Sequence, residues 1–127
     1  MQYVTTEGEQ GICPSGWHIP TDTEWTKLSD SLGGETVAGG KIKEVGTVHW
    51  APPNTGATNS SGFTALPGSY RSINGNFYDL SRKAYFYSSS RGGVINAWYR
   101  YLFYDNEYLG RTNNNKNYGF SCRCLQD

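Results

Sequence analysis

The sequence is poor in the residues that mark several large classes of protein. Only two of its 127 residues are histidine, and neither His18 nor His49 stands at a spacing from cysteine or a carboxylate that would complete a zinc site. Eleven Lys and Arg balance eleven Asp and Glu without a basic run, which argues against a nucleic-acid partner. No apolar stretch approaches the roughly 18 residues of a membrane span, so direct membrane insertion is not expected.

Signal-peptide features are also missing, because residues 1–5 lack the charged and apolar regions of such a leader. We therefore expect either a cytoplasmic protein or a piece of a longer chain. Hydrophobic residues make up only 36% and the mean hydropathy is -0.64, but four Trp, ten Tyr and five Phe supply bulky packing units. The length then predicts one domain over residues 1–127.

Cysteine is scarce and its count is odd, so at least one of Cys13, Cys122 and Cys124 is unpaired within the chain. Cys122 and Cys124 face the same side of a predicted strand, and a ring closed between them would be strained. We expect Cys13 to bridge to one of the two, which implies an oxidising compartment. Three buried thiols are the alternative.

Catalytic patterns are weak. The hydroxyls of residues 88–90 have no evident base, and His18 lies between Trp17 and Ile19, which favours a packed structural histidine. We expect no enzyme, no catalytic residue, no cofactor and no metal site. Oxygens at Asp105, Asn106 and Glu107 are a candidate calcium set, but the spacing of an EF-hand loop is absent, and a solvated loop tip is the alternative.

One helix is strongly predicted, from about residue 22 to residue 32. Residues 21–24 form a capping box, Gly33-Gly34 supplies a terminator, and a buried stripe recurs at helical spacing in Trp25, Leu28 and Leu32. Residues 37–45 predict a second, shorter helical turn, although Gly39-Gly40 inside it lowers helix propensity.

The rest of the chain predicts short strands and long loops. Residues 46–61 read as an irregular ordered loop, and Asn74-Gly75 predicts a hairpin between a strand at 63–71 and one beginning at Phe77. Further strands are predicted at residues 84–89, 97–104 and 119–125, with a polar connection at 105–117. One or two helices followed by short antiparallel strands indicate an α+β domain.

Tyrosine and asparagine crowd the last third of the chain. Tyrosine offers rigid contact area and asparagine offers adaptable hydrogen bonding, the pairing that antibody paratopes use. Along the predicted strand, Trp98, Arg100 and Leu102 share one face, and the other carries Tyr99, Tyr101 and Phe103. Large side chains on both faces mean either full burial or an exposed aromatic face, and we predict the exposed face, which would mark an interaction site.

Ordered motifs along nearly the whole chain resemble the Fibrobacter succinogenes major paralogous domain. They are CPSGWHIPT at residues 13–21, EW at 24–25, AGGK at 38–41, NTGATN at 54–59, SGF at 61–63, LPG at 66–68, GFS at 119–121 and RC at 123–124. The resemblance implies a bacterial surface or lipoprotein module of the kind frequent in gut Bacteroidetes. It also implies a C-type-lectin-like fold of the formylglycine-generating-enzyme type, and an extracellular location as part of a larger exported protein.

Some members of this family are similar to the variable proteins of diversity-generating retroelements, in which a C-terminal segment is diversified at adenine-rich codons. Residues 90–118 are the candidate variable region, since asparagine codons changed at adenine give the residue types found there. The resemblance implies a ligand-binding face made of Asn96, Tyr99, Tyr101, Phe103, Tyr104, Asp105, Asn106, Glu107, Tyr108, Thr112, Asn113, Asn114 and Asn115. It implies scaffold roles for Trp98, Leu102, Gly119, Phe120 and Cys124.

The chain departs from the family and its relatives at several points. Cys13 and Cys124 are the disulfide candidates, but Cys122 stands where the family has an apolar residue and leaves the partner of Cys13 open. Enzyme relatives of this fold use two cysteines at another spacing, and the calcium motifs of sugar-binding C-type lectins are absent. We therefore expect an adhesin-like binding domain for a protein or glycan on a host, bacterial or phage surface. The alternative is a structural or pilus module whose aromatic face packs against a neighbouring domain or subunit.

Overall fold

A computed structural model of the chain describes residues 6–127. Residues 1–5, which show no signal-peptide features in the sequence, lie outside the described part. The described residues form two helices and seven short strands, in the order β1 (Trp17–His18), α1 (Asp22–Ser31), α2 (Glu35–Ile42), β2 (Tyr70–Arg71), β3 (Phe77–Tyr78), β4 (Lys83–Arg91), β5 (Asn96–Phe103), β6 (Gly110–Asn115) and β7 (Leu125–Gln126).

Helix α1 begins at the predicted capping box. The Thr21 hydroxyl accepts a hydrogen bond from the Glu24 amide at 3.1 Å, and the Glu24 carboxylate accepts one from the Thr21 amide at 2.8 Å. Gly33 and Gly34 follow the helix with φ values of +103° and +96°, which glycine adopts without strain. The predicted helix is confirmed and ends at Ser31.

The largest sheet has the strand order β4-β5-β6, and β1-β7 and β2-β3 form two-stranded sheets. All four pairings between these strands are antiparallel. The α+β class with short antiparallel strands is therefore confirmed.

The main core lies between the helices and one side of the β4-β5-β6 sheet. Its buried side chains are Trp25, Ala38, Ile42, Trp50, Ala65, Ala84, Phe86, Leu102 and Leu109, and Leu28, Leu32, Phe63 and Tyr104 pack against them. The predicted stripe of α1 thus faces the core. Trp50 also satisfies its polar atom there, because its indole N–H donates to the Ala65 carbonyl at 2.9 Å.

A buried arginine joins this side of the sheet to the start of α1. Arg100 is 0% exposed, and its guanidinium donates to the Asp22 carboxylate at 2.5 Å, while Arg111 donates to the same carboxylate at 2.8 Å. Burial acts to raise the pKa of Asp22, but the hydrogen bonds from Arg111 and Arg100 hold that pKa below its usual range. The carboxylate therefore stays charged and fixes α1 to β5 and β6.

The two ends of the described chain lie together. Trp17 pairs with Gln126 and His18 with Leu125, and a disulfide joins Cys13 to Cys124 with the Cα atoms 5.8 Å apart. This bond resolves the open choice of partner for Cys13 and excludes three buried thiols. Cys122 is a free, half-buried thiol.

Three of the strand predictions need correction. Residues 63–71 form a strand only at Tyr70–Arg71, and residues 119–125 are mostly irregular, with β7 beginning at Leu125. Strand β6 lies inside the predicted polar connection at 105–117, and it forms because β5 presents a free ladder edge, although Gly and Asn have low strand propensity. The hairpin at Asn74-Gly75 is confirmed, with Arg71 paired to Phe77.

The loop at residues 46–61 is irregular, as predicted, and it is held by a buried side chain. The amide of Asn54 donates to the carbonyls of Glu44 at 2.9 Å and Gly46 at 2.7 Å. Within residues 6–127, no helix has the length and apolar character needed to cross a membrane.

Candidate ligand-binding face

The central sheet has a second side, turned away from the helices, that carries large aromatic side chains. Strand register places Tyr85 opposite Tyr101 and Tyr87 opposite Tyr99. Alternation along the strands gives this side, named here the aromatic face, the side chains of Lys83, Tyr85, Tyr87, Tyr99, Tyr101, Phe103, Thr112 and Asn114. The predicted phase of β5 is thus confirmed, since Arg100 and Leu102 are buried on the helix side.

Phe120 lies on the centre of the aromatic face. Its ring centroid is 4.6 Å from that of Tyr87, 4.7 Å from that of Tyr99 and 5.0 Å from that of Tyr85. This cover leaves Tyr99 only 8% exposed and Tyr87 only 1% exposed. The prediction that Tyr99 lies on an exposed face is therefore wrong, because the chain after β6 folds back over the sheet and buries it.

Beside Phe120 the aromatic face opens into a pocket of about 150 Å³. Its walls, named here the tyrosine pocket, are Tyr70, Tyr85, Tyr99, Asn114, Tyr118 and Phe120. The rings brace one another, since Tyr70 lies 5.2 Å from Tyr85 and 6.0 Å from Tyr118 between centroids. The pocket is built from four strands, β2, β4, β5 and β6, and from the segment that follows β6, on a packed aromatic layer, so its shape is fixed by the fold.

The hydroxyl groups in the tyrosine pocket are neutral and available. Burial raises the pKa of Tyr85 and of Tyr99, so both phenols stay protonated at neutral pH. The neighbouring Asn114 side chain acts to lower the pKa of Tyr99, but burial has the larger effect. Among residues 6–127, no side chain or carbonyl group accepts a hydrogen bond from the hydroxyls of Tyr70, Tyr85 or Tyr118. These hydroxyls can therefore donate to and accept from a bound molecule.

The thirteen residues of the predicted face fall into three groups. Tyr101, Phe103, Thr112 and Asn114 lie with Tyr99 on the aromatic face. The register places three asparagines on the opposite side of the sheet, where the Asn96 amide donates to Asn113 at 3.1 Å, and Asn115 lies with them. The remaining five belong to the loop from residue 104 to residue 108. The structure does not bring all thirteen side chains onto one surface.

The loop at residues 104–108 is fastened to α2 through its backbone. The Gly40 amide donates to the Glu107 carbonyl at 3.1 Å, and the Leu109 amide donates to the Glu35 carbonyl at 2.8 Å. A Cβ atom at Gly39 would stand 2.2 Å from the Tyr108 carbonyl oxygen. The paired glycines of α2 thus let this loop approach the helix backbone, and only parts of it, such as the side chains of Asp105 and Tyr108, are exposed.

Lys43 lies beneath the same loop and is 0% exposed. Its ammonium group donates to the carbonyls of Thr55 at 2.8 Å, Asn106 at 2.8 Å and Phe103 at 3.1 Å. Burial lowers the pKa of Lys43 to about 8, with the charges of Asp105 and Glu107 acting the other way. The ammonium therefore remains mostly charged at neutral pH, and its three hydrogens match three carbonyl oxygens.

The candidate calcium oxygens of Asp105, Asn106 and Glu107 lie around this lysine. The Asn106 carbonyl already accepts from Lys43, and the Asn106 side chain accepts from the Tyr108 amide at 3.0 Å. Across residues 6–127, no group of three or more His, Cys, Asp or Glu side chains is placed to hold a metal ion.

Both histidines contact carboxylates. His18 lies 2.6 Å from Asp127 and 3.1 Å from Glu24, and the hydrogen bond to Asp127 raises its pKa although burial acts to lower it. His49 lies 2.9 Å from Glu44. Burial raises the pKa of the Cys122 thiol, which reduces its thiolate fraction and thus its nucleophilicity at neutral pH.

Sequence reasoning missed part of the tyrosine pocket. Tyr70 and Tyr85 were not candidates, Tyr118 was not carried to the predicted face, and Phe120 was assigned to the scaffold. A signal for Tyr85 was present, because pairing the predicted strands at 84–89 and 97–104 places alternate aromatics on one side. Tyr70 and Tyr118 arrive through irregular segments that strand periodicity does not describe.

The structure thus shows an α+β domain whose terminal segments are joined and whose sheet carries an aromatic pocket on one side. The family model of the Fibrobacter succinogenes major domain matches residues 2–126, and the chain belongs to this family. No curated protein and no solved structure matches the chain.

Proposed function

We propose that this chain is a non-enzymatic, C-type-lectin-like ligand-binding domain displayed on a bacterial cell surface, with the aromatic face as its recognition surface. The observation that carries the proposal is the tyrosine pocket, where the hydroxyls of Tyr70, Tyr85 and Tyr118 have no hydrogen-bond partner among residues 6–127. Each of these three hydroxyls is accessible at the surface, because none is among the buried polar atoms that lack a partner, whereas the Tyr87 hydroxyl donates to the Tyr118 carbonyl at 2.6 Å.

The location outside the cell rests on the disulfide. Cys13 and Cys124 are bonded, and structural disulfides persist mainly in oxidising compartments. The lectin-like assignment rests on the family resemblance, and it is supported by the two helices, the short antiparallel strands and the long ordered loops. The non-enzymatic assignment rests on the raised pKa of the Cys122 thiol and on the partners of the two histidines, which among residues 6–127 hydrogen-bond carboxylates and no Ser, Thr or Cys side chain.

The binding test uses the purified domain on a biosensor surface, with solubilised envelope fractions of gut bacteria and host mucin as probes. The pair Asn114→Ala and Tyr118→Ala removes side chains from the rim of the pocket. Tyr108→Ala is the matched control, because Tyr108 is 55% exposed on the loop fastened to α2. We expect retention of a fraction by the wild type and the control, and loss of most of it in the pocket variants. Equal retention by all variants would remove the basis of the proposal.

A structural module predicts a different outcome of the same experiment. If the aromatic face normally packs against a neighbouring domain or subunit, no probe fraction is retained by any variant, and the isolated wild-type domain self-associates through that face. Size-exclusion chromatography with light scattering distinguishes this outcome from a monomeric binding domain.

We further propose that residues 90–118 are a variable region of a diversity-generating retroelement. Within it, fixed core positions such as Leu102 and Leu109, both 0% exposed, alternate with accessible positions such as Tyr108 and Asn114. Sequencing the flanking DNA should reveal a reverse-transcriptase gene and a near-copy of this segment that differs at adenines. A locus that holds neither would contradict this part of the proposal.

A further inference from the structure

We infer that the tyrosine pocket binds one neutral, hydroxyl-bearing ring, as presented by an uncharged sugar residue of a glycan. The inference rests on the proposed function and names the ligand class of the same face.

Charge is the first argument. The lining consists of Tyr70, Tyr85, Tyr99, Asn114, Tyr118 and Phe120, none of which is charged at neutral pH, since burial raises the pKa of Tyr85 and of Tyr99. The charged group on the aromatic face, Lys83, lies over the Phe103 ring at 5.1 Å and is paired with Asp79 at 2.9 Å. A charged ligand would lose hydration in the tyrosine pocket without gaining an opposite charge.

Hydrogen bonding is the second argument. A phenolic hydroxyl both donates and accepts, and the Asn114 side-chain amide, whose oxygen already accepts from the Asn115 amide at 2.8 Å, keeps a second lone pair and its N–H donors. Three such hydroxyls, on Tyr70, Tyr85 and Tyr118, border one small volume. A ligand with several adjacent hydroxyls can satisfy this mixed set, whereas an aromatic or aliphatic side chain from a protein partner would leave most of it unpaired.

The walls give the third argument. Tyr118 and Phe120 are stacked at an interplanar angle of 26°, and Tyr85 and Phe120 at 18°, so three of the walls are aromatic rings of similar orientation. The faces of aromatic rings carry negative electrostatic potential. They therefore attract the C–H groups of a sugar, whose hydrogens are made positive by neighbouring oxygens.

Size is the fourth argument. The pocket volume of about 150 Å³ equals that of about five water molecules in the liquid. One six-membered ring fits this space, and a peptide segment does not. Stable protein partners cover far more surface, on the order of 800 Å² on each side. The pocket thus fits the exposed terminal ring of a glycan, with an affinity for the free sugar of about millimolar.

The test is a titration followed by two-dimensional ¹H–¹⁵N NMR of the purified domain. The neutral probes are glucose, galactose, mannose and N-acetylglucosamine, and the charged probes are glucuronic acid and N-acetylneuraminic acid. We expect at least one neutral sugar to shift the Asn114 side-chain amide and neighbouring backbone signals saturably. We expect each charged sugar to bind at least about fivefold more weakly than the best neutral one, a ratio that corresponds to the loss of one good hydrogen bond.

Two variants and a matched control locate the binding. Tyr118→Phe removes one hydroxyl and keeps the ring, and Asn114→Ala removes the amide, so each should raise the dissociation constant of the best neutral sugar by about three- to tenfold. Thr36→Val likewise removes one hydroxyl, at an exposed position of α2 outside the pocket, and should leave binding unchanged. The dispersion of each variant's spectrum verifies that it is folded.

The outcomes separate this inference from the proposed function. If neutral sugars shift nothing in the pocket, or charged sugars bind as tightly, the inference is overturned. The sugar inference fails and the proposed function stands if the wild type still retains a probe fraction on the biosensor and the Asn114 and Tyr118 variants do not. The face then recognises a ligand of another class. If neither experiment shows binding, both proposals fail.

Discussion

Lys43 and Arg100 are both 0% exposed, and Lys43 is the one whose charged group is hydrogen-bonded only to backbone carbonyls. The Lys43 ammonium replaces hydration with carbonyls from the loops at Thr55 and Asn106 and from the end of β5. The Lys43 side chain thereby holds three backbone segments together, and it stabilises the loop that follows β5.

Replacing Lys43 by Met should lower the free energy of unfolding by about 3 kcal/mol, because three buried carbonyls lose their donor at once. Urea denaturation measures the change. Lys27→Met is the matched control, since Lys27 is exposed on α1 and should change stability by no more than about 0.5 kcal/mol. Equal stability of the two variants would show that the carbonyls find other donors.

His18 forms a pH-dependent link between Asp127 and Glu24 of α1. Its pKa is raised, first by the hydrogen bond to Asp127, so its contribution is full below the unfolded value of about 6.5 and is lost as pH rises through the raised pKa. Burial acts to raise the pKa of Glu24, but hydrogen bonds from Thr21 and His18 lower it. The contribution of Glu24 is thus lost as pH falls below about 4.3.

The difference in melting temperature between the wild type and His18→Gln should therefore be greatest between about pH 5 and 6.5 and should shrink towards pH 9. Differential scanning calorimetry across this range measures it. A difference that grows with rising pH would mean that the neutral ring makes the stabilising contacts.

At the scale of elements, α2 shows how a sequence feature that opposes a helix can be required by the tertiary structure. Gly39 and Gly40 lower helix propensity, yet both are buried and the loop carbonyl of Glu107 bonds the Gly40 amide at 3.1 Å. Gly56, which lies outside the helix, also permits a close approach to this loop, because a Cβ atom at Gly56 would stand 2.1 Å from Cγ of Glu107. The loop is therefore held between backbone surfaces that tolerate no side chain.

Gly39→Ala should destabilise the domain by about 1–3 kcal/mol, because the overlap with the Tyr108 carbonyl outweighs the gain in helix propensity of about 1 kcal/mol. Hydrogen exchange should also become faster at the Gly40 and Leu109 amides. Thr36→Ala, an exposed change in the same helix, is the control and should leave stability within about 0.5 kcal/mol. A more stable Gly39→Ala would contradict the close approach of the loop.

Elements with a strong local sequence signal could be predicted. Elements that form only because they pair or pack with a distant segment could not. The capping box and periodic stripe of α1 act within a few residues, so the sequence predicts its start at Asp22. Strand β6 depends on the edge of β5 instead, and its sequence, rich in Gly and Asn, carries no strand pattern. Likewise Phe120, in an irregular segment, buries Tyr99, and nothing in the alternation of β5 predicts that cover.

At the scale of the whole molecule, the disulfide and the β1-β7 pair join two segments that flank the part of the chain forming the aromatic face. The bonded cysteines are separated by 111 residues, and closing a ring of that size stabilises the folded state by about 4 to 5 kcal/mol in the loop-entropy account. The disulfide and the β1-β7 pair lie outside the segments that form the tyrosine pocket, so those segments do not have to supply this stabilisation. Such a division suits a scaffold whose face changes while its core stays fixed.

The central claim, that the aromatic face and not the loop at residues 104–108 contacts the ligand, is tested most directly by ¹⁹F NMR of the domain labelled with 3-fluorotyrosine. Its ten tyrosines give separate probes, assigned through Tyr→Phe variants, and the bacterial envelope fraction retained on the biosensor is the titrant. The account predicts that the signals of Tyr70, Tyr85 and Tyr118 shift or broaden while that of Tyr108 stays unchanged. A change at Tyr108 with no change at those three would contradict it.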